Sequence, residues 1–158
     1  MRAVVVAGSK KSGKTALITM LADALERDGK RVAIVKYSNH SLDKGNTDAF
    51  WMMRPDRVVV NASPEETAVF WPCQLTFEDI TSLLRADVLL CEGGDVPASV
   101  PRILCVKEGE EGEDNTSFTI LATYGSGASL CGVSHFMELD PHAAERMVSL
   151  ILEKAAVV

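Results

Sequence analysis

The segment Gly8-Ser9-Lys10-Lys11-Ser12-Gly13-Lys14-Thr15 constrains this chain more than any other. It completes the pattern G-x-x-x-x-G-K-[ST] and directly follows a continuous apolar, β-branched run, Ala3–Ala7. Such a run predicts a strand covered on both faces. Behind the loop, Leu17, Leu21, Ala24 and Leu25 recur at helical spacing over Lys14–Asp28, and Gly29 ends that pattern. A second apolar run, Arg31–Lys36, predicts another buried strand. Strand, crossover helix and strand in this order form a βαβ unit, whose sheet is at least partly parallel.

Each residue type in the loop has a physical reason. Glycines permit backbone angles that turn successive N–H groups inward, forming a concave anion nest. The helix that follows adds the partial positive charge of its N-terminus. Lys14 reaches toward β- and γ-phosphates, and the Thr15 hydroxyl is suited to Mg²⁺. The expected ligand is therefore a purine nucleotide, held through its phosphates with Mg²⁺ at Gly8–Thr15.

The rest of the chain extends the same layered pattern. Tyr37–Asp48 is a long polar stretch, and Ala49–Met53 is a short amphipathic piece ending at Pro55. Strands are expected at Arg57–Asn61, Thr67–Trp71, Val88–Cys91, Arg102–Val106 and Thr119–Thr123, with a further candidate at Ala128–Val133. Thr76 opens a helix to Arg85, with Glu78 and Asp79 in its first turn. Asp140 caps a closing helix that runs to about Lys154, with Pro141 in its first position. Glu108–Asn115 reads as a solvated acidic loop. No repeat or domain boundary is visible. The expectation is a single nucleotide-binding domain over residues 1–158: an α/β, three-layer fold with a mainly parallel central sheet.

Composition excludes several classes. A net charge of -6 opposes broad nucleic-acid binding, which needs a basic face, although Lys10, Lys11, Lys14 and Lys36 supply a local basic pocket. No apolar run approaches the roughly 20 residues that cross a bilayer, so the expected location is cytoplasmic, without a membrane partner. Cys73, Cys91, Cys105 and Cys131 lack zinc-site spacing, and Cys91 and Cys105 sit in apolar runs as small hydrophobes.

Phosphoryl chemistry also needs carboxylates that hold Mg²⁺ and orient a nucleophile. Glu92 follows Val88–Cys91, at the carboxyl end of a buried parallel strand, and two glycines come after it. Asp87 stands at the wrong end of that strand and reads as structural. The loop after the second strand carries Lys36, Asn39, His40, Asp43 and Asp48 toward the same crevice. Asp48 either ligates Mg²⁺ through water or simply starts the next helix. The candidate catalytic set is Lys14, Glu92 and Asp48, and the candidate metal set is Thr15, Asp48 and Glu92. The candidate nucleotide-binding set is Gly8, Ser9, Lys10, Lys11, Ser12, Gly13, Lys14, Thr15, Ala16, Lys36 and His40.

In this order the motifs resemble the MobB family, the molybdopterin-guanine dinucleotide biosynthesis adaptor proteins. Gly8–Leu17 is similar to the family's G-x-x-x-S-G-K-T-T-L loop, and Gly29–His40 to its G-x-x-V-a-x-x-K-H-x-x-H segment. Asp43–Ala49 is similar to D-x-x-G-K-D-S, with Asp48 as its clearest match. Asp87–Gly94 is similar to D-L-V-L-V-E-G-F, and the closing Asp-Pro helix falls where the family has one. The resemblance implies GTP binding, slow GTP hydrolysis, homodimerisation and a helper role in attaching a guanine nucleotide to molybdopterin. It also implies molybdopterin or a molybdopterin guanylyltransferase as partner, with Asp48 and Glu92 flanking the metal.

Four positions depart from that pattern. Thr47 and Ala49 replace the Lys and Ser of G-K-D-S, Tyr37 replaces the first His of K-H-x-x-H, and Gly94 replaces the aromatic after Glu-Gly. The basic residue that often follows is missing from Phe50–Met53. These departures fall on the side of a second substrate. The residues alone leave two other readings open, an ATP-dependent small-molecule kinase and a non-catalytic, nucleotide-switched binding module. The base-reading signature N-K-x-D is absent, so guanine rests on the resemblance.

Overall fold

The computed structural model describes residues 1–38, 48–109, 117–127, 130, 132–138 and 140–158, with the side chains of residues 49 and 50 left out. The backbone divides into two compact units, Met1–Tyr37 with Leu84–Val158, and Ser38–Leu83.

In the first unit, β1 (Arg2–Gly8) leads through the glycine-rich loop into α1 (Lys14–Arg27), then β2 (Val32–Lys36). In the second unit come α2 (Asp48–Met52), β3 (Val59–Ala62), β4 (Thr67–Phe70) and α3 (Phe77–Leu83). The chain returns to the first unit with β5 (Val88–Glu92), β6 (Arg102–Cys105), β7 (Ile120–Tyr124) and β8 (Ser134–Phe136). It closes with α4 (Pro141–Lys154) and β9 (Ala156–Val157).

The main sheet has seven strands in the order β2-β5-β1-β6-β7-β8, with β9 also on β1. All its pairings are parallel except β9 on β1. This is the α/β fold with a mainly parallel sheet that the βαβ pattern predicts. β5 runs along β1 from Arg2 to Val6, while β9 covers Arg2 and Ala3 and β6 takes over from Val5. One edge of β1 is thus shared between an antiparallel and a parallel partner.

The core forms where α1 and α4 lie against the sheet. Leu17, Leu21 and Leu25 of α1 and Met147 and Ile151 of α4 are fully buried against Val4, Val6 and Leu90. Each such side chain contributes roughly 1.5–3 kcal/mol of apolar burial. Ala3, Val5, Leu89 and Cys91, which alternate to the opposite face, are also fully buried. Local rules set the helix ends. Lys30 N–H donates to Leu25 O and Gly29 N–H to Glu26 O, the paired bonds that a left-handed glycine after a helix allows. Asp140 Oδ1 accepts from Ala143 N–H at 2.7 Å, with Pro141 in the first turn.

In the second unit, β3 and β4 form a two-stranded antiparallel hairpin, with Val59 opposite Phe70 and Ala62 opposite Thr67. Ser63 closes its turn by donating to Glu66 O and accepting from the Glu65 and Glu66 amides. Thr76 caps α3: Asp79 N–H donates to Thr76 Oγ1, and Thr76 N–H donates back to Asp79 Oδ2.

Several expectations are corrected. The strand expected at Arg57–Asn61 begins at Val59, and it pairs with β4 outside the main sheet. β2 is half-exposed rather than buried, with Ile34 52% exposed, because β5 is its only partner among the described residues. Of the strand expected at Ala128–Val133, residues 128, 129 and 131 lie outside the described residues; Val133 N–H donates to Leu130 O, and a strand follows at Ser134–Phe136. β9 was not anticipated, because two residues carry no periodicity. Most of Glu108–Asn115 lies outside the described residues.

Candidate functional site

Parallel pairing brings the carboxyl ends of the strands together. Lys36 and Val6 are both in register with Glu92, Gly8 is in register with Cys105, and Cys105 with Tyr124. The glycine-rich loop therefore opens at the same sheet end as Lys36, Glu92, Lys107 and Tyr124.

The loop folds as its residue types require. Gly8 has φ +144°, and a Cβ there would lie 2.4 Å from the Cys105 carbonyl oxygen and 2.8 Å from Ser12 Oγ. Only a residue without a side chain fits that approach. Lys11 also takes a left-handed conformation, at φ 64°. Gly13 is the N-cap of α1, and no side chain caps that helix. The first-turn amides are left for a ligand at the positive end of the helix. Lys14 folds back over the loop, and its Nζ donates to Gly8 O at 3.0 Å and Ser9 O at 2.6 Å. Ser9 Oγ is buried with no hydrogen-bond partner among the described residues.

Glu92 meets the loop from β5. Thr15 Oγ1 donates to Glu92 Oε2 at 3.1 Å, and Lys36 Nζ lies 3.2 Å from the same oxygen. The Glu92 side chain is 14% exposed, so this carboxylate is largely withdrawn from water. Tyr37 N–H donates to Glu92 O, and Gly93 N–H donates to Val6 O. A hydroxyl and a carboxylate, both hard oxygen donors, thus meet at a helix N-terminus beside two ammonium groups. That donor set suits Mg²⁺ and a phosphate chain together.

Of the sequence-predicted residues, the structure brings together Gly8 to Ala16, Lys36 and Glu92. Asp48 belongs to the second unit, where it is exposed at the first position of α2. His40 and Thr47 lie outside the described residues. Asp87 stands at the opposite end of β5, as expected. It pairs with Arg31 through Arg31 Nη2–Oδ1 at 2.8 Å and Arg31 Nε–Oδ2 at 3.1 Å, and accepts from the Arg31 amide. Those bonds hold its carboxyl well below the usual carboxylate range.

Sequence reasoning missed two neighbours of the loop. Lys107 Nζ donates to Lys10 O, tying the loop to the segment after β6. The Tyr124 ring lies 3.4 Å from where a Cβ on Gly13 would sit. Their signal was position, directly after or at the end of a buried strand, but it becomes readable only once the strand order is known. Burial pushes the Cys91 and Cys105 thiols up to about 12, consistent with small hydrophobes rather than reactive groups. Among the described residues no His, Cys, Asp and Glu cluster of metal-binding form occurs.

The family model described as molybdopterin guanine dinucleotide synthesis protein B matches residues 3–123. The chain belongs to the MobB family. The match runs from β1 through β7 and so includes both the glycine-rich loop and Glu92. The fold is similar to that of Bacillus subtilis MobB, with a TM-score of 0.76 at 19% identity over 96% of this chain and 98% of that one. A structure of molybdopterin-guanine biosynthesis protein B is 28% identical over 96% of this chain and 97% of its own, with a TM-score of 0.68. A MobB homologue from Bacillus stearothermophilus is 20% identical over 98% and 97%, with a TM-score of 0.65. No curated protein sequence matches significantly. Membership in MobB ties this P-loop chain to molybdopterin guanine dinucleotide synthesis. No described helix is long and apolar enough to cross a membrane.

Proposed function

We propose that the chain is a cytoplasmic, homodimeric GTP-binding accessory protein of molybdopterin guanine dinucleotide synthesis, with slow Mg²⁺-dependent GTPase activity. The observation that carries this reading is the meeting of Thr15 Oγ1 and Glu92 Oε2 at the N-terminus of α1, beside Lys14. Lys14 and the uncapped amides of Gly13 to Ala16 hold the phosphates and offset charge that builds on the terminal one. Lys10 and Lys11 add positive potential at the loop, and Ser9 Oγ offers an unused hydroxyl.

Thr15 and Glu92 are the residues here that would hold Mg²⁺. A bound Mg²⁺ supplies charge neutralisation at the phosphate oxygens. Glu92 also orients the attacking water, and Lys36 balances its charge at 3.2 Å. Slow turnover fits the arginines whose contacts are defined. Arg54 and Arg57 donate to main-chain carbonyls of their own segment, and Arg102 and Arg146 lie over the Phe118 and Phe136 rings. None of these four is assigned as an arginine finger, so slow turnover is expected without a partner. A partner such as a molybdopterin guanylyltransferase would supply the missing cation or accept the nucleotide.

The test is calorimetry with GTP and ATP, each with Mg²⁺ and with a chelator, with and without a molybdopterin guanylyltransferase. Tighter GTP binding in Mg²⁺ and turnover below about 1 s⁻¹ are expected. No heat and no thermal protection from either nucleotide at millimolar concentration would overturn the reading.

A further inference from the structure

Two of the departures from the MobB pattern occupy one place in space. A Cβ on Gly94 would lie 2.0 Å from Cδ2, 2.3 Å from Cγ and 2.4 Å from Cε2 of Tyr37. The ring therefore fills the volume into which a side chain at position 94 would project. We propose that Tyr37 is a positioning residue for Glu92, its ring clamping the Glu92-Gly93-Gly94 turn from the β2 side.

The turn needs such a clamp. Gly93 and Gly94 are both left-handed, at φ 67° and 91°, and two successive glycines hold a conformation poorly by themselves. Among the described residues nothing lies within 4 Å of a Cβ built on Gly93, so that residue makes no close packing contact there. The Glu92 backbone is pinned on both sides, since Tyr37 N–H donates to Glu92 O and Gly93 N–H donates to Val6 O. The ring closes the remaining side of the turn. Its neighbour in sequence, Lys36, meets Glu92 Oε2 at 3.2 Å, so one two-residue step fixes both the carboxylate's backbone and its counter-ion. Position 94 is left to glycine, and the ring beside it comes from position 37.

This inference rests on the proposed role of Glu92 at Mg²⁺, and the experiment separates the two. Wild type, Tyr37→Phe and Tyr37→Ala are compared for GTP affinity in Mg²⁺ and in chelator, and for amide hydrogen exchange at Gly93. Tyr37→Ala is expected to weaken Mg²⁺-dependent GTP binding about tenfold, by analogy with loss of an outer-shell partner. Binding in chelator should change less than twofold, and exchange at Gly93 should accelerate. Tyr37→Phe should match wild type in all three. Gly94→Ala should lower Tm by about 5 °C or more, through overlap with the ring and a strained φ. Combining it with Tyr37→Ala should lower Tm by less than the sum of the two single losses.

Unchanged Gly93 exchange in Tyr37→Ala, or additive losses in the double variant, would overturn the clamp. So would equal weakening of binding with and without Mg²⁺. If the unaltered chain bound no nucleotide, the GTP reading would fall, and exchange and melting would still decide the clamp.

Discussion

Thr15 and Glu92 stand 77 positions apart in the chain, and the hydroxyl of one donates to the carboxylate of the other at 3.1 Å. Neither helix α1 nor strand β5 forms this contact alone. It exists because β1 and β5 are parallel neighbours, which puts the start of one helix beside the end of another strand. The pair gives a first prediction. Glu92→Gln should lower GTPase turnover at least about tenfold and weaken Mg²⁺ dependence, while binding in chelator stays within about twofold. Single-turnover hydrolysis against a Mg²⁺ titration checks it.

Lys14→Ala should weaken nucleotide binding with and without Mg²⁺, by about 10- to 100-fold, the worth of a charged hydrogen bond to phosphate. The fold should be retained, since among the described residues Lys14 Nζ bonds only to carbonyls of its own loop. Calorimetry together with circular dichroism distinguishes lost binding from lost structure.

Gly8→Ala tests the loop sterically. The added Cβ would sit 2.4 Å from the Cys105 carbonyl oxygen, at a φ of +144° that alanine rarely adopts. A loss of about 2–4 kcal/mol is expected, combining strain and overpacking. A urea melt reads it as a lower midpoint with an unchanged slope.

The acid limb of stability should depend on Asp87. Arg31 holds its folded-state pKa below the ordinary value of 3.8, so its stabilising effect is fully present above that value. It is lost as pH falls from there toward the lower folded value. Asp87→Asn should therefore flatten the decline of Tm below about pH 4, because the titrating group is gone. A Tm series from pH 7 down to pH 2 in both proteins measures it.

Thiol labelling should separate the described cysteines. Cys73 is exposed, whereas Cys91 and Cys105 are buried with pKa values pushed up to about 12. Iodoacetamide at pH 8 should modify Cys73 within minutes, and Cys91 and Cys105 only after denaturation. Peptide mass mapping before and after urea reads the result.

Features governed by near neighbours were legible in the residues themselves. The strand, glycine loop and helix over residues 2–27, the stop at Gly29, and the Asp140-Pro141 start of α4 are all set within a few positions. Conformational freedom at glycine, a carboxylate on a free amide and a 3.6-residue apolar spacing act locally, so spelling them out is enough. The placement of Lys14, Thr15 and Glu92 at one end of the sheet was legible for the same reason: each is marked by its distance from a strand end. The tertiary structure alone decided which strands lie side by side. Val4, Leu90 and Ile103 are equally apolar and carry no address for a partner, so the order β2-β5-β1-β6-β7-β8 comes from burying all of them at once. It likewise sent β3 and β4 into their own hairpin, laid β9 on β1, and placed Lys107 at the loop and the Tyr37 ring on Gly94. Burial of apolar surface has no direction, and it gains geometry only when the whole chain is packed.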